Sequence, residues 1–372
     1  MKVIQITDHN GSGGVNSFVY DLCRAQKKLG NEVLFISLIR SETPSKTELE
    51  ELKSLGIKIL CLKAQGKKDA VLHYVGHLKK VVQKYSQGER CILNLHLKLS
   101  VLMGVLACGN MKNIRIVETY HNTYHHYELQ YALMHPWIRH YIAISHTCGL
   151  EMKRRFHTKD SQMTVIPNGI DREAIREAAL KESVQSHKGI LLMTVGRLSY
   201  EKNIKVPVEA LAAVCGENLR YRVIGDGPQM EEIKNAAAGN PYIGFKGQIP
   251  REEVLKNLAE ADIVIMPSLW EGRSILQLEA MALDRPLMLS DVPGLREVFD
   301  EKSLKKDELF RRCSWGYLVR TNDEESYRKA AEDFTENRNL STDMSNRIKE
   351  ASFENDMNSV AEKYQEVYEK VF

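Results

Sequence analysis

The chain contains no Cys-x-x-Cys pair, and its seven cysteines, Cys23, Cys61, Cys91, Cys108, Cys148, Cys215 and Cys313, are scattered through 372 residues. That distribution argues against zinc and against a disulfide framework, and it fits a reducing cytosol. No apolar run approaches the roughly 18 residues of a spanning helix. The opening MKVIQITDHN goes straight into a strand-like pattern, without a long apolar segment before a small-residue cleavage site, so no secretory leader is expected. Gly-x-Gly-x-x-Gly is missing as well: Asn16 stands three places after Gly13, where a dinucleotide fingerprint needs glycine. An overall excess of one charge is absent, with net charge +3, and no nucleic-acid partner is expected. Locally the balance breaks. Residues 1–170 carry 23 Lys and Arg against 13 Asp and Glu, whereas the remainder carries 29 against 36. Such asymmetry suits one half facing an anionic surface or substrate, although a chance distribution of solvated charges explains it equally well.

What is present is the composition of a globular protein, 43% hydrophobic and 27% charged, in a chain longer than one core usually holds. Short apolar runs alternate with helix-period segments. In the first half the runs are VIQIT (3–7), EVLFISLI (32–39), IKIL (57–60), CILNLHL (91–97), IRIVETY (114–120), YIAIS (141–145) and TVIPN (164–168). The rhythm restarts with ILLMTVG (190–196), YRVIGDG (221–227), IGFKG (243–247), DIVIMPS (262–268) and PLMLSD (286–291). Strand–helix alternation predicts a parallel sheet covered on both faces, here built twice, with the linker near PNGID, residues 167–171.

In doubly wound domains ligands sit at the carboxyl ends of the strands, so the loops there are where chemistry is expected. GSGG, Gly11 to Gly14, opens a helix whose free N–H groups and dipole suit an anion, and it also reads as a plain tight turn. GRLSYEKN places Arg197 and Lys202 after a strand. Two such cations can clamp a diphosphate, and in isolation a solvated pair fits equally. GDGP, 225–228, is a turn where backbone approaches a ligand closely.

EGRSILQLEAMA, residues 271–282, puts Glu271 in a turn and Glu279 on an apolar helical face. A buried carboxylate without a partner is costly or becomes neutral, so something is expected to bond to Glu279. The turn leaves the first helical N–H groups aimed at any bound phosphate.

Together these residues resemble the retaining, metal-independent glycosyltransferases of the GT-B fold, specifically family four, the bacterial polysaccharide-biosynthesis type. The carriers are GGVNSF (13–18), PNGID (167–171), VGRLSYEKN (195–203), GDGP (225–228), Glu271 with Glu279, and SDVPGLREV (290–298), in the family's order across the whole chain. The resemblance implies two Rossmann-like doubly wound α/β domains facing across a cleft. Residues 1–171 would form the acceptor-side domain, joined by a C-terminal helix 353–372, and residues 172–352 the nucleotide-sugar domain. It further implies that Glu279 accepts hydrogen bonds from both ribose hydroxyls, that Glu271 lies near the donor sugar, that the N–H groups around Arg273 to Leu276 meet the pyrophosphate, and that Gly272, Arg273, Ser274 and Ile275 bind the nucleotide sugar. Arg197 and Lys202 would neutralise the departing diphosphate, the task a metal performs elsewhere. Gly13, Gly14, Gly196 and Gly225 would line the donor site, and His121, in ETYHNTY, matches a histidine placed by the donor sugar. The chain has no Asp-x-Asp, the metal-holding signature of the other large glycosyltransferase fold, and no metal or resident cofactor is expected. His121, His125 and His126 form a local histidine run without a convincing acidic ligand. Arg273 and Ser274 depart from the aromatic and small residues usual after Glu-Gly, and Asn16 stands where many members carry glutamate.

The implied activity is transfer of a sugar from a nucleotide diphosphate sugar, UDP ahead of GDP, to a hydroxyl of a glycan or lipid-linked saccharide in the cytoplasm. A sugar-nucleotide epimerase of the same fold and a non-catalytic nucleotide-sugar binder are the alternatives. VLHYVGHLKKVVQKY, residues 71–85, lines up Val71, Val75, Leu78, Val82 and Tyr85, with Lys79, Lys80 and Lys84 off that face. It reads as a helix packed on the first sheet or as a basic amphipathic element docking on the anionic inner face of the cytoplasmic membrane.

Overall fold

The computed structural model describes residues 1–11, 13–41, 44–121, 128–180, 188–352 and 356–372, the side chains of Leu340 and Ser352 excepted. The chain divides into two compact units, one of Met1–Ile170 with Asn355–Phe372 and one of Asp171–Glu354. In the first, β1 (Lys2–His9), β2 (Glu32–Ile39), β3 (Lys58–Ala64), β4 (Cys91–Leu95), β5 (Ile114–Tyr120), β6 (Ile138–Ala143) and β7 (Met163–Val165) form one sheet in the order β3-β2-β1-β4-β5-β6-β7. Every pairing is parallel. Helices cover both faces, which is why strands such as β4 are buried along their whole length and, Asn94 apart, read as apolar runs.

The second unit repeats the plan with β8 (Ile190–Val195), β9 (Leu219–Ile224), β10 (Ile243–Phe245), β11 (Ile263–Met266), β12 (Leu287–Ser290), β13 (Phe310–Cys313) and β14 (Gly316–Val319), ordered β10-β9-β8-β11-β12-β14-β13. The expectation of a wholly parallel sheet is corrected at one edge, where β13 runs antiparallel to β14. In both sheets the order reverses beside the first strand, so the loops after β1 and β4, and after β8 and β11, flank the switch point where doubly wound folds hold ligands.

Helix Met357–Lys370 returns to the first unit and packs against helix Gly14–Lys28. Its Tyr364 and Tyr368 are fully buried, and the Tyr368 hydroxyl accepts from Gln5 Nε2. The segment 71–85 is helical but begins as a π turn over Ala70–Tyr74 before the α-helix Val75–Ser86. Leu78, Val82 and Tyr85 lie in the core, with Val71 and Val75 packed against it, while Lys79, Lys80 and Lys84 face outward. This corrects the docking reading of that helix: its apolar face is occupied by the sheet and cannot also enter a lipid surface.

Candidate functional site

In the second unit the loops after adjacent strands are knitted at one end of the sheet. Gly196 N donates to Ile224 O at 2.9 Å, Leu198 N to Asp226 O at 2.9 Å, and Gly225 N to Gly247 O at 2.8 Å. The approach is close enough to demand glycine: Gly225 has φ +134°, and a Cβ there would lie 1.9 Å from the Gly196 carbonyl oxygen. This holds the backbone carrying Arg197 and Lys202. Arg197 is exposed, and its guanidinium has no hydrogen bond or ion pair among the described residues.

The same loop reaches the one after β11. Leu269 N donates to Glu201 O at 2.9 Å, and Asn203 Nδ2 to Pro267 O at 3.2 Å. Lys202 Nζ is thereby brought into an ion pair with Glu271 Oε1, which also accepts from Ser268 Oγ at 2.9 Å. Ser268 is fixed in turn by its carbonyl, which accepts from Ser290 Oγ at 2.6 Å. Lys202 and Glu271, expected separately at the diphosphate and the sugar, thus form one unit. An ammonium has three donors, so Lys202 can keep Glu271 and still meet a phosphate oxygen.

Helix Ile275–Ala282 starts with Ser274 at its N-cap, where no side-chain cap bond forms. Gly272 and Ile275 are buried, and Arg273 is half-buried. Glu279, 6% exposed, is a carboxyl group on a buried helix face as the sequence indicated. Its partner here is Arg251, whose Nε lies 3.0 Å and whose terminal nitrogen lies 2.9 Å from Glu279 Oε1. Arg251 opens the helix Arg251–Glu260 after β10 and was not singled out from the sequence, although its position just beyond a parallel strand is the signal that would have found it.

In the first unit Gly13, φ +141°, precedes helix Gly14–Lys28. Asn16 is buried, and its Nδ2 donates to Gly11 O at 2.7 Å, bracing the glycine turn. His121 follows β5, is 6% exposed, and receives Phe18 edge-on at 5.6 Å between ring centroids. Its Nε2 lies 2.8 Å from Nδ1 of His96, which follows β4, and His96 Nε2 lies 2.6 Å from Gln5 Oε1. Burial lowers the His121 pKa to about 3 and holds His96 well below the ordinary imidazole value, with the neighbouring His121 adding to the latter. Both rings are therefore neutral at pH 7. His96 too was missed by the sequence reading despite its strand-end place. No group of three His, Cys, Asp or Glu residues among the described residues has metal-holding geometry, and His125 and His126 lie outside them.

Two doubly wound sheets, parallel but for one edge strand, with cations and carboxylates collected at the strand ends of one, define a paired Rossmann-like α/β protein. Residues 12–174 match the family described as Glycosyltransferase Family 4, and residues 175–351 match Glycosyl transferases group 1. The chain is 29% identical over 191 residues, 47% of its length, to the UDP-Gal:alpha-D-GlcNAc-diphosphoundecaprenol alpha-1,3-galactosyltransferase of Escherichia coli. It is 27% identical over 264 residues, 63% of its length, to the alpha-monoglucosyldiacylglycerol synthase of Streptococcus pneumoniae. The matched stretches span 45% and 59% of those two relatives, about half their length. Anabaena HepE, solved in complex with UDP-glucose, superposes with a TM-score of 0.78 at 16% identity, over 100% of both chains. The chain belongs to family four of the glycosyltransferases and has the GT-B fold.

Proposed function

We propose that this protein transfers a sugar from a UDP-sugar to a hydroxyl of a glycan or lipid-linked saccharide, with retention at the anomeric carbon and without a metal. The observation that carries the reading is the cluster at the strand ends of the second unit: an Arg197 without a partner among the described residues, the Lys202–Glu271–Ser268 group, and a buried Glu279 paired with Arg251. A nucleotide diphosphate offers what these groups recognise, two phosphates for the cations and a ribose diol for a carboxylate. Support for UDP comes from the relatives, since the Escherichia coli enzyme is named for UDP-Gal and Anabaena HepE binds UDP-glucose.

In the proposed reaction the bond between the anomeric carbon and the diphosphate oxygen breaks, and the acceptor oxygen bonds to the same face of that carbon. The acceptor proton passes to the departing phosphate, so no side chain need act as nucleophile. Charge on the leaving diphosphate grows toward the transition state, where Arg197 and Lys202 stabilise it more than in the ground state. No resident cofactor takes part; the nucleotide sugar is a substrate. His121 is assigned to a donor-sugar hydroxyl.

A lipid-linked acceptor brings the protein to a membrane surface. No described helix is long and apolar enough to cross one, so we assign peripheral contact. Its apolar component is Leu129 and Leu133, one turn apart on helix Glu128–Met134, with Leu150 on the adjoining helix His146–Phe156; these side chains are 74%, 56% and 66% exposed. The first unit's excess of Lys and Arg supplies attraction to anionic lipid.

A panel of nucleotide sugars, screened by thermal shift and then by nucleotide release with and without a saccharide acceptor in EDTA, tests the reading. Stabilisation by a UDP-sugar and acceptor-dependent UDP release in chelator are expected. Activity that needs added magnesium or manganese would refute the metal-free mechanism. Conversion of the donor without an acceptor would make the protein an epimerase.

A further inference from the structure

The buried polar network behind His121 runs in one direction. Gln5, in the middle of β1, donates through Nε2 to Gln26 Oε1 at 2.8 Å and to the Tyr368 hydroxyl at 3.2 Å, while its Oε1 accepts from Asn94 Nδ2 at 3.0 Å. Asn94 Oδ1 accepts from Thr119 Oγ1 at 3.0 Å, so the neighbouring strand holds that amide as well. With the Gln5 oxygen facing His96 Nε2 at 2.6 Å, the only proton that can make the contact is one on that nitrogen. Asn94 Nδ2 lies farther from the same nitrogen, at 3.3 Å, and its shorter bond is to Gln5, so the 2.6 Å contact with the Gln5 oxygen decides where the proton sits. A neutral imidazole carries one N–H. His96 Nδ1 therefore presents a lone pair to His121 Nε2 at 2.8 Å, and the proton between them belongs to His121.

We infer that Gln5 and His96 are positioning residues that lock His121 into its Nε2–H tautomer, leaving Nδ1 as a hydrogen-bond acceptor for a hydroxyl of the donor sugar. The inference rests on the reading that His121 serves the donor sugar. No described residue bonds to His121 Nδ1, and the edge of Phe18 fixes the ring in place. The consequence is directional. The sugar hydroxyl must donate its proton to the protein, and the imidazole is uncharged when positive charge develops at the anomeric carbon. An imidazolium in that place would oppose the charge; a lone pair favours it. Burial of both rings in a site that holds them neutral agrees with this assignment.

Long-range proton–nitrogen correlation spectra of the protein labelled with nitrogen-15 in histidine read each tautomer directly, with His96 and His121 assigned by the signals lost in His96→Gln and His121→Gln. His121 is expected to show a protonated Nε2 and a bare Nδ1 at pH 7. A protonated Nδ1, or an imidazolium, would overturn the inference. Gln5→Glu tests the relay from its far end: a carboxylate there charges His96, whose Nδ1–H then donates to His121 and drives the His121 proton to Nδ1. That variant should keep its affinity for UDP and lose roughly tenfold or more in kcat/KM, the scale of one hydrogen bond lost in the transition state. An unmoved His121 proton in folded Gln5→Glu would show that the relay does not exist. If Gln5→Glu fails to fold, His96→Leu replaces it: it should leave His121 in a mixture of tautomers, whereas His96→Gln, which can still accept from His121, should preserve one. The tautomer readout needs no turnover, so a protein that transfers no sugar would overturn the proposed function and leave the relay standing.

Discussion

A single carboxylate raised the question that the rest of the second unit answers. Glu279 sits on a buried face and pairs there with Arg251, and the proposed function makes it the acceptor for a ribose diol. Glu279→Ala should weaken UDP binding by about 1.5–3 kcal/mol, the scale of hydrogen bonds to a charged group; calorimetry on the folded variant giving unchanged affinity would remove Glu279 from the ribose. The two buried histidines make a second claim at this scale. Unfolded imidazoles titrate near 6.5 and folded His121 near 3, so between those values the unfolded chain binds more protons and stability falls as pH falls. His121 alone should remove about 2 kcal/mol by pH 5, and His96 acts in the same sense. Melting temperatures between pH 7 and 4 should therefore drop less steeply in His121→Gln than in the parent; parallel curves would contradict the shift. The residues that announced themselves in the sequence were those set against an apolar background, Glu279 above all. Arg251 and His96 did not, because the pairing of each depends on a partner far along the chain, 28 residues away for Arg251 and 91 for the His96 contact with Gln5.

Among elements, the strands buried on both faces were plain to read, since runs such as EVLFISLI are apolar after Glu32 except for the small Ser37, and the observed β2 has the same limits. The edge hairpin was not. In Phe310–Cys313 two arginines interrupt the apolar run, because an edge strand is only half-covered and Arg311 and Arg312 leave it to pair with Glu308 and Asp333. The π turn at Ala70–Tyr74 was equally hidden, as side-chain spacing alone does not reveal a one-residue widening of a helix. What periodicity cannot supply, close backbone contact shows. Gly225→Ala would push a Cβ into the Gly196 carbonyl at a φ that side chains rarely adopt, costing about 1–3 kcal/mol and moving the Arg197 loop. A lower melting temperature together with weaker UDP binding is the expected result; a variant equal to the parent in both would mean the two loops do not depend on each other.

For the molecule as a whole, charge and apolar exposure coincide in the first unit. Anionic vesicles should retain the protein at low salt and release it at high salt, while neutral vesicles should not retain it. Leu129→Asp with Leu133→Asp should weaken that retention, and so should exchanging Lys79, Lys80 and Lys84 for Gln. Co-sedimentation indifferent to lipid charge, or to both sets of changes, would leave the first unit without a membrane role.

The return of helix Met357–Lys370 to the first unit bears on how the protein is made. The first unit is interrupted, and helix Met357–Lys370, which rejoins it, is synthesised after all of the second unit. Tyr368 on that helix accepts from Gln5 and from Gln26, so the network behind His121 lacks a member until that helix has been made. The second unit, which ends at Glu354, precedes that helix in the order of synthesis. During translation the loops that carry Arg197, Lys202 and Glu271 thus exist before the histidine pair is fully braced, and the order in which the chain is made sets the order in which the two units are completed.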